Sequence, residues 1–540
     1  MRYLASTLAA CSAVGLLAAP AALAGPRDRD RDGLPDRWER SNGLSTKSKS
    51  AKKDTDRDGL RNRTEYRLRT KPRVKDTDRD GLSDGYEVRV SRTNPRRKNS
   101  RAGVPARPSP PRPRPVAATP PRPAPTPTPT PDPMPAPDPG PAPTPDLFVD
   151  GASVGGRCDD SRTAAQAASA STPWCSIPRA IAAAPEGRHV SVRAGRYPNF
   201  EITGDNRRSA FLSLAAHAGE RVELGRVSTV GSSWLRFSGF SISGGVNLGH
   251  ATHHVQMVGN DLTPAGFYLR NTRDVLIQGN RVHDLTTDAR GLLAQGWDSR
   301  PEQALNRRLT IRGNRFSRMT YDAIAIYNGT EDLLIEDNEI EEVRKRPGSE
   351  LHVDTIQIMG GTRMTVRRNL IHDSAHGMLF KDMTSAGLTI ENNVVARTAG
   401  AGIQVVNAPG VRILSNTVWD TGAGLLLDND PAVPGQTSAT VVNNILNLMS
   451  APAALTALED HNLVRWSSVR GAHSSQGTAV FANAAANDFT LAAGSPGVDA
   501  ATSDHGPERD RAGRARTDDP AVANHGGGAQ PWWDMGAHER

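Results

Sequence analysis

The chain is poor in cysteine, in aromatic residues and in long apolar runs. Of its 540 residues three are cysteines and 5% are aromatic. Beyond the N-terminus nothing approaches the ~18 consecutive apolar residues of a membrane-spanning helix, so no helical span is expected. The one apolar run is at the start. Arg2 precedes a mostly apolar stretch from Leu4 to Leu17, and Ala22-Leu23-Ala24 follows as a small-x-small pattern. Residues 1–24 therefore read as a secretory signal peptide cut after Ala24. Leu8-Ala9-Ala10-Cys11 has the form of a lipoprotein box, but the apolar run before Cys11 is too short for one. With the leader removed, only Cys158 and Cys175 remain. In an oxidising exterior these two are expected to pair and close a short surface loop. The expected location is extracellular, with association to the cell surface as a variant of it.

A positive excess is also missing from most of the chain. The formal charge is +8, yet residues 25–100 hold 23 Lys/Arg against 14 Asp/Glu, whereas residues 147–540 hold 37 against 41. The basic character belongs to a small N-terminal part, which argues against a nucleic-acid partner for the chain as a whole. Proline is concentrated too: 20 of the 40 prolines fall in residues 101–146. Such a segment has fixed φ and few donors, and it is expected to be a disordered, extended linker of polyproline II type. At ~3 Å per residue it reaches on the order of 100 Å. The chain thus divides into 1–24 (leader), 25–100 (basic module), 101–146 (linker) and 147–540 (large domain).

Within the basic module one acidic pattern recurs three times. The first copy is Asp28, Asp30, Asp32, Gly33, Asp36 and Glu39. The second is Asp54, Asp56, Asp58, Gly59, Asn62 and Glu65, and the third is Asp76, Asp78, Asp80, Gly81, Asp84 and Glu87. Oxygen ligands at loop positions 1, 3, 5, 9 and 12, with glycine at 6, suit Ca²⁺, which takes six to eight hard oxygens on a sharply turned loop. The cofactor expected is Ca²⁺. These copies, with the following Thr93-Asn94-Pro95, resemble bacterial thrombospondin type 3 repeats. That resemblance implies a calcium-stabilised spacer or adhesion element. With its carboxylates masked by ions, the module would present Arg and Lys to an anionic envelope or an acidic polysaccharide.

The large domain repeats an apolar-x-apolar-x-x-Asn unit. The asparagines are Asn260, Asn280, Asn314, Asn338, Asn369, Asn393, Asn416 and Asn444, with spacings between 20 and 34. A period in the twenties with insertions marks a solenoid, and the short Val/Ile/Thr alternations mark its strands as β. Stacked coils bury what one coil cannot, and asparagines at one coil position can bond to each other and to turn backbones. The fold class expected is all-β: a parallel β-helix. It resembles the right-handed parallel β-helix superfamily that includes pectate lyases and related polysaccharide lyases. Leu147-Phe-Val-Asp-Gly151, Thr172-Pro-Trp-Cys-Ser-Ile-Pro-Arg-Ala-Ile-Ala-Ala-Ala-Pro-Glu-Gly187 and Val190-Ser-Val-Arg-Ala-Gly-Arg-Tyr197 look like that family's entry. There an N-terminal helix caps the open end. Gly494-Ser-Pro-Gly-Val-Asp499 and Asp534-Met-Gly-Ala-His-Glu539 look like its ending.

Aligning coils by their asparagines lines up one strand, which passes through Ile324/Ile326, Ile356/Ile358, Met378/Phe380, Ile403/Val405 and Leu425/Leu427. Asp322, Asp354 and His376 stack at its entry, with His352 two residues before Asp354. Gln357 and Lys381 point outward on adjacent coils. The insertions Asp284–Asn306 and Glu341–Leu351 are placed to wall a groove, and the second carries Arg344, Lys345 and Arg346. A lyase acting on a uronic-acid polymer needs a cation on the C6 carboxylate, a base for the C5 proton and an acid for the leaving oxygen. Lys381 is the candidate base, with His352 and His376 as acid, base or orienting groups. Asp322, Asp354 and Glu350 are candidate holders of Ca²⁺, and Arg344 or Arg346 is the alternative carboxylate clamp. Gln357 and Trp419 are candidate substrate contacts. The reading is a secreted polysaccharide lyase, expected to be monomeric, acting by β-elimination on an acidic polysaccharide. Its alternatives are a calcium-dependent adhesin or glycan-binding protein and a glycoside hydrolase on the same fold. The hydrolase would need two carboxylates across the groove, with Asp322 and Asp354 as candidates.

Overall fold

A computed structural model describes residues 27–56, 60–79, 84, 95–97, 147–151, 157–296, 306–327, 329–383, 387–430 and 436–540. The expected leader and linker lie outside these residues. So do Asp58, Gly59, Asp80, Gly81 and Glu87 of the acidic repeats. The chain forms two compact units, one in residues 1–129 and one in residues 130–540.

In the first unit the first two acidic loops lead toward short helices, Asp36–Ser41 and Asn62–Leu68. Trp38 and Tyr66 meet edge to face, with ring centroids 5.2 Å apart. The copies are also cross-linked by polar groups. Asp32 Oδ2 accepts from the backbone N–H of Ser50 (2.6 Å) and of Ala51 (2.7 Å). Ser50 donates its hydroxyl to buried Glu39.

The second unit is the β-helix. Its described residues build three long parallel sheets of 13, 11 and 13 strands. Each coil visits them in one order. The coil at Thr330–Glu336 (sheet A) continues to Glu339–Val343 (sheet B) and Ile356–Met359 (sheet C), then returns to sheet A at Thr362–Arg367. Alternate residues point inward, and they form one continuous apolar core from Leu147 to Val464. Outward residues of neighbouring coils lie ~4.8 Å apart, so charges pair across coils. On sheet A, Arg312, Glu336, Arg367 and Glu391 alternate in sign, with Arg367 Nε 2.8 Å from Glu336 Oε2.

The corner from sheet A to sheet B is always two residues long from Asn260 onward. The first has positive φ, as at Gly313, Asp337, Arg368, Ser415 and His461. The second is the repeated asparagine. One left-handed residue turns the chain sharply enough to keep the coil narrow. The asparagine side chain then satisfies what the corner exposes. Asn338 Oδ1 accepts from both the backbone N–H and Nδ2 of Asn314 (2.9 Å each). Its own Nδ2 donates to Asn369 Oδ1 and to the Ile311 carbonyl (2.9 Å each). The expected ladder from Asn260 to Asn444 is present, and it extends one rung further to Asn462, whose Oδ1 accepts from Asn444.

From Asn260 onward the variation in corner length falls at the other two corners, both of which border sheet C. The insertion expected at Asp284–Asn306 is in part regular: Arg281–Leu285 is a strand of sheet B and Leu292–Gln295 a strand of sheet C. Likewise Glu341 to Val343 belong to a sheet B strand, and the irregular segment runs over 344–355. Sheet C is therefore the face flanked by loops of variable length.

The N-terminal end of the stack is closed. The helix Ile177–Ala183 buries Ile177, Ala180 and Ile181 in the core, and Ser176 caps it by accepting from the Arg179 N–H. Cys158 and Cys175 form the expected disulfide beside it. At the other end the last segment folds back on the corner between sheets A and B. Asn392 Nδ2 donates to the Arg509 carbonyl, Asn443 Nδ2 to that of Thr502, and Ala537 N–H to Thr417 Oγ1. Among the described residues no helix is long and apolar enough to cross a membrane.

Candidate functional site

The aligned strand is observed in the expected register: Ile324, Ile356, Met378, Ile403 and Leu425 are lateral partners in sheet C. The residue two positions before each of them therefore forms a column along the sheet edge. From coil to coil it reads Asp322, Asp354, His376, Ala401 and Ala423. One coil earlier Leu292 pairs with Ile324, which puts Arg290 in the same column. Sequence reasoning missed Arg290 because its coil lies inside the segment treated as an insertion. The signal was there: Gly291-Leu292 repeats the glycine-apolar step of Gly377-Met378 and Gly402-Ile403. These glycines are required, since a Cβ on Gly377 would lie 2.0 Å from the Gly402 carbonyl oxygen of the next coil.

Arg290 holds the lower half of the site together. Its Nε donates to Asp322 Oδ2 at 3.0 Å, and its Nη2 donates to the hydroxyls of Tyr321 (2.6 Å) and Tyr327 (3.1 Å). The guanidinium also lies 4.1 Å from the Tyr321 ring centre. Tyr327 leans back along the sheet to donate its hydroxyl to Gln357 Oε1. Burial, with Asp322 close by, pushes the Tyr327 hydroxyl up to about 12, so it stays protonated as a donor. Asp322 is fully buried, and burial raises it against the opposing pull of the Asp354 N–H and Arg290. A carboxylate so enclosed is a brace and does not face a groove. This removes one of the two acids that a hydrolase would need.

The upper half is a carboxylate between two imidazoles. Asp354, itself buried, donates its backbone N–H to Asp322 Oδ1 and sets its Oδ2 2.9 Å from His352 Nδ1. The rings of His352 and His376 are 5.2 Å apart. Their environments drive them in opposite directions. The Asp354 carboxylate, 2.9 Å from its Nδ1, raises His352, the more exposed ring. Burial lowers His376, and the neighbouring His352 lowers it further. Gly400 makes room for the second imidazole, since a Cβ there would lie 2.3 Å from its Cε1.

The other expected site residues are distributed differently. Gln357 points outward, but its lateral neighbour is Leu379, and that of Lys381 is Met359, so the two are not directly stacked. Lys381 lies at the far end of its strand, five residues and so ~16 Å of extended chain from His376. Its Nζ is 3.7 Å from Asp430 and 3.9 Å from Asp382. Arg346 is 2.7 Å from Asp288, which ties the segment 344–355 to the loop before Arg290. Arg344 donates to the Asp373 carbonyl. Trp419 is not on sheet C. It ends a strand of sheet B and packs edge to face on Phe481 at 5.0 Å, so it covers core and does not line this site.

In the acidic module the position-9 residues prove to be fasteners. Asp36 accepts from the Arg29 N–H, Asp84 from the Thr77 N–H, and Asn62 from the Thr55 hydroxyl while its Nδ2 donates to the Ser50 carbonyl. These bonds hold the loop in shape, and Asp36 Oδ2 makes no hydrogen bond, so it stays open to an ion. What converges in the first copy is Asp28, Asp30 and Asp32, with one oxygen of each within 4.8 Å of the others. Asp28 Oδ1, Asp30 Oδ2 and the Oε2 of fully buried Glu39 make no hydrogen bond. Burial raises both Asp30 and Glu39, and the neighbouring aspartates add to the shift. Unpaired buried carboxylate oxygens are costly unless a cation joins them, and an all-oxygen set fits Ca²⁺.

With this geometry in view, a family model described as "Right handed beta helix region" matches residues 265–446. The large domain is a right-handed parallel β-helix. No curated protein matches the chain. Solved structures with a similar course include an alginate lyase from Paenibacillus sp. str. FPU-7, at 14% identity and a TM-score of 0.38, covering 48% of this chain and 93% of that one. They also include the pectate lyase Pel9A, at 14% identity and a TM-score of 0.38, covering 73% and 96%. A third is PfbA, a surface adhesin of Streptococcus pneumoniae, at 12% identity and a TM-score of 0.33, covering 54% and 90%. Polysaccharide lyases and an adhesin thus stand side by side at low identity, and what this chain does has to be argued from its own side chains.

Proposed function

We propose that the large domain is a polysaccharide lyase that cleaves a uronic-acid polymer by β-elimination on the outer face of sheet C. The observation that carries this reading is the pair His352 and His376. They are two imidazoles 5.2 Å apart, one pushed toward its protonated form by Asp354 and the other toward its neutral form by burial. Groups pushed apart in this way can divide acid and base work at one pH.

In the proposed reaction His376 takes the C5 proton. The electron pair left at C5 forms the C4–C5 double bond as the C4–O bond breaks, and His352 gives its proton to the departing oxygen. The C6 carboxylate must be countered while charge develops. Tyr321 and Tyr327, two coils below His376, and Arg290, one coil lower still, support that role. The base assignment thus moves from Lys381, whose ammonium sits among carboxylates, to His376. Gln357 is retained as a substrate contact. The acidic module is read as a Ca²⁺-loaded foot that keeps a secreted enzyme near an anionic envelope or its polymer. Asp28, Asp30, Asp32 and Glu39 would hold the first ion, and the ion's part is to bind those oxygens together.

The test is incubation of the protein with pectate, alginate and glycosaminoglycans, with Ca²⁺ or with chelator. Absorbance in the unsaturated-uronide band marks a lyase. New reducing ends without that band mark a hydrolase, and binding without either marks an adhesin. His376→Ala is expected to lower kcat by ~10²–10⁴-fold, the usual contribution of a general base. If Lys381→Ala abolished the product and His376→Ala did not, the base would be Lys381.

A further inference from the structure

A second group of histidines lies at the C-terminal end of the solenoid, well along the chain from the sheet C site. Asp460 ends the last strand of sheet A, Thr456–Asp460. His461 is the left-handed corner residue that follows it, and Asn462 is the last rung of the ladder. His473 lies on the loop between the strands Leu463–Val464 and Ser475–Gln476. Asp460 Oδ2 is 3.2 Å from His461 Nδ1 and 3.0 Å from His473 Nδ1. The two rings stack with centroids 4.7 Å apart, and all three ligand atoms lie within 4.8 Å of one another.

We propose that Asp460, His461 and His473 form a binding site for a divalent transition-metal ion of the Zn²⁺ type, which latches the last loop onto the end of the β-helix.

Three features support the site. First, the spacing is that of ligands around a common centre. Bonds of 2.0–2.2 Å to a tetrahedral ion put ligand atoms about 3.3 Å apart, close to the two separations observed. Second, His461 is buried, and its Nδ1 makes no hydrogen bond although Asp460 Oδ2 lies 3.2 Å away. Nitrogen and oxygen face each other without the alignment of a donated proton. Third, the carboxylate is preset. Asp460 Oδ1 accepts the backbone N–H groups of His461 (3.1 Å) and His473 (2.9 Å), which leaves Oδ2 turned toward the two rings. Such outer bonds orient a metal ligand. The loop is also pinned on either side of His473: Glu459 accepts from the Arg470 N–H, and Ser474 accepts from the Asn462 N–H. Two imidazoles and one carboxylate suit Zn²⁺ and its neighbours better than Ca²⁺, which prefers oxygen throughout. The exposed side of His473 leaves a coordination position for water.

The test uses full-length, tag-free protein stripped of metal and returned to excess Ca²⁺, so that the acidic loops are filled. Zn²⁺ is titrated by calorimetry and Co²⁺ by visible absorption, and melting is followed with and without Zn²⁺. The wild type is expected to bind Zn²⁺, to show a tetrahedral Co²⁺ band and to melt at higher temperature with the ion. His473→Ala alters an exposed residue, so its fold survives. It should weaken this event by more than the 10–100-fold typical of disturbing an outer-shell partner and should remove the Zn²⁺-dependent rise in Tm. His376→Ala, in the sheet C histidine pair, should keep both. A Zn²⁺ isotherm unchanged by His473→Ala, or a wild type whose melting ignores Zn²⁺, would overturn the proposal.

Discussion

Replacing Asn338 by alanine tests what the ladder contributes. The fully buried side chain makes four hydrogen bonds, two accepted from Asn314 and two donated, to Asn369 and to the Ile311 carbonyl. The loss is not uniform. Asn314 Nδ2 keeps its bond to the Ile277 carbonyl, and Asn369 Oδ1 keeps the Asn338 N–H. The Asn314 N–H loses its side-chain acceptor in a dry corner, a cost of ~1–3 kcal/mol. The other three bonds contribute ~0.5–1.5 kcal/mol each. The expected destabilisation is therefore about 2.5–7.5 kcal/mol, localised at one corner. Because coils communicate only with their neighbours, such a defect also uncouples the coils on either side. Urea unfolding followed by circular dichroism should show an earlier transition and a lower apparent m-value, or two transitions. A loss below about 1 kcal/mol with m unchanged would refute the view that the ladder is a principal bond along the axis.

Four further outcomes are expected. Gly313 has φ +61°, and a Cβ added there would meet no atom within 4 Å, so Gly313→Ala should cost only the left-handed penalty of ~1–2 kcal/mol. A larger loss in chemical denaturation would reveal a packing role. The kcat/KM profile should be bell-shaped. His376 must be neutral to act, and burial lowers it, so the rising limb lies below pH 6.5. His352 must be protonated, and Asp354 raises it, so the falling limb lies above pH 6.5. Asp354 favours the charged form of both rings, hence Asp354→Asn should move both limbs to lower pH; a fixed profile would exclude these assignments. Finally, chelating Ca²⁺ should lower the melting of the N-terminal module and leave the β-helix transition in place, as calorimetry can show. Deleting residues 25–100 should weaken retention on acidic polysaccharide at low salt.

The ladder asparagines were legible because one residue type recurs at a fixed distance from an alternating apolar strand. The left-handed residue before each was not, since glycine occupies that position in some coils and Asp, Arg, Asn, Ser or His in others. Side chains there tolerate the strain because the asparagine behind them over-determines the corner. Asp354, His352 and His376 were legible as polar residues on an aliphatic strand. The distance of Lys381 from them was not, because alternation reports which face a residue is on and not how far along the strand it sits. Trp419 shows the same limit between sheets. Its counting from Asn416 was right, but it follows the corner and so belongs to sheet B. The fastening role of Asp36, Asn62 and Asp84 was hidden because carboxylates and amides suit ions and backbone N–H groups equally well.

From Asn260 onward the corner between sheets A and B keeps one length while the other two corners vary, and this bears on how such a chain can change over generations. A cut and rejoining from one ladder asparagine to the next, as from Asn393 to Asn416, removes one whole rung and leaves every remaining strand in phase. Lengthening a loop beside sheet C alters the outer face without shifting a core residue. Drift in reactivity and drift in foldability are thereby assigned to different stretches of the same coil. New surfaces can be tried along one edge while the asparagine spine is inherited unchanged.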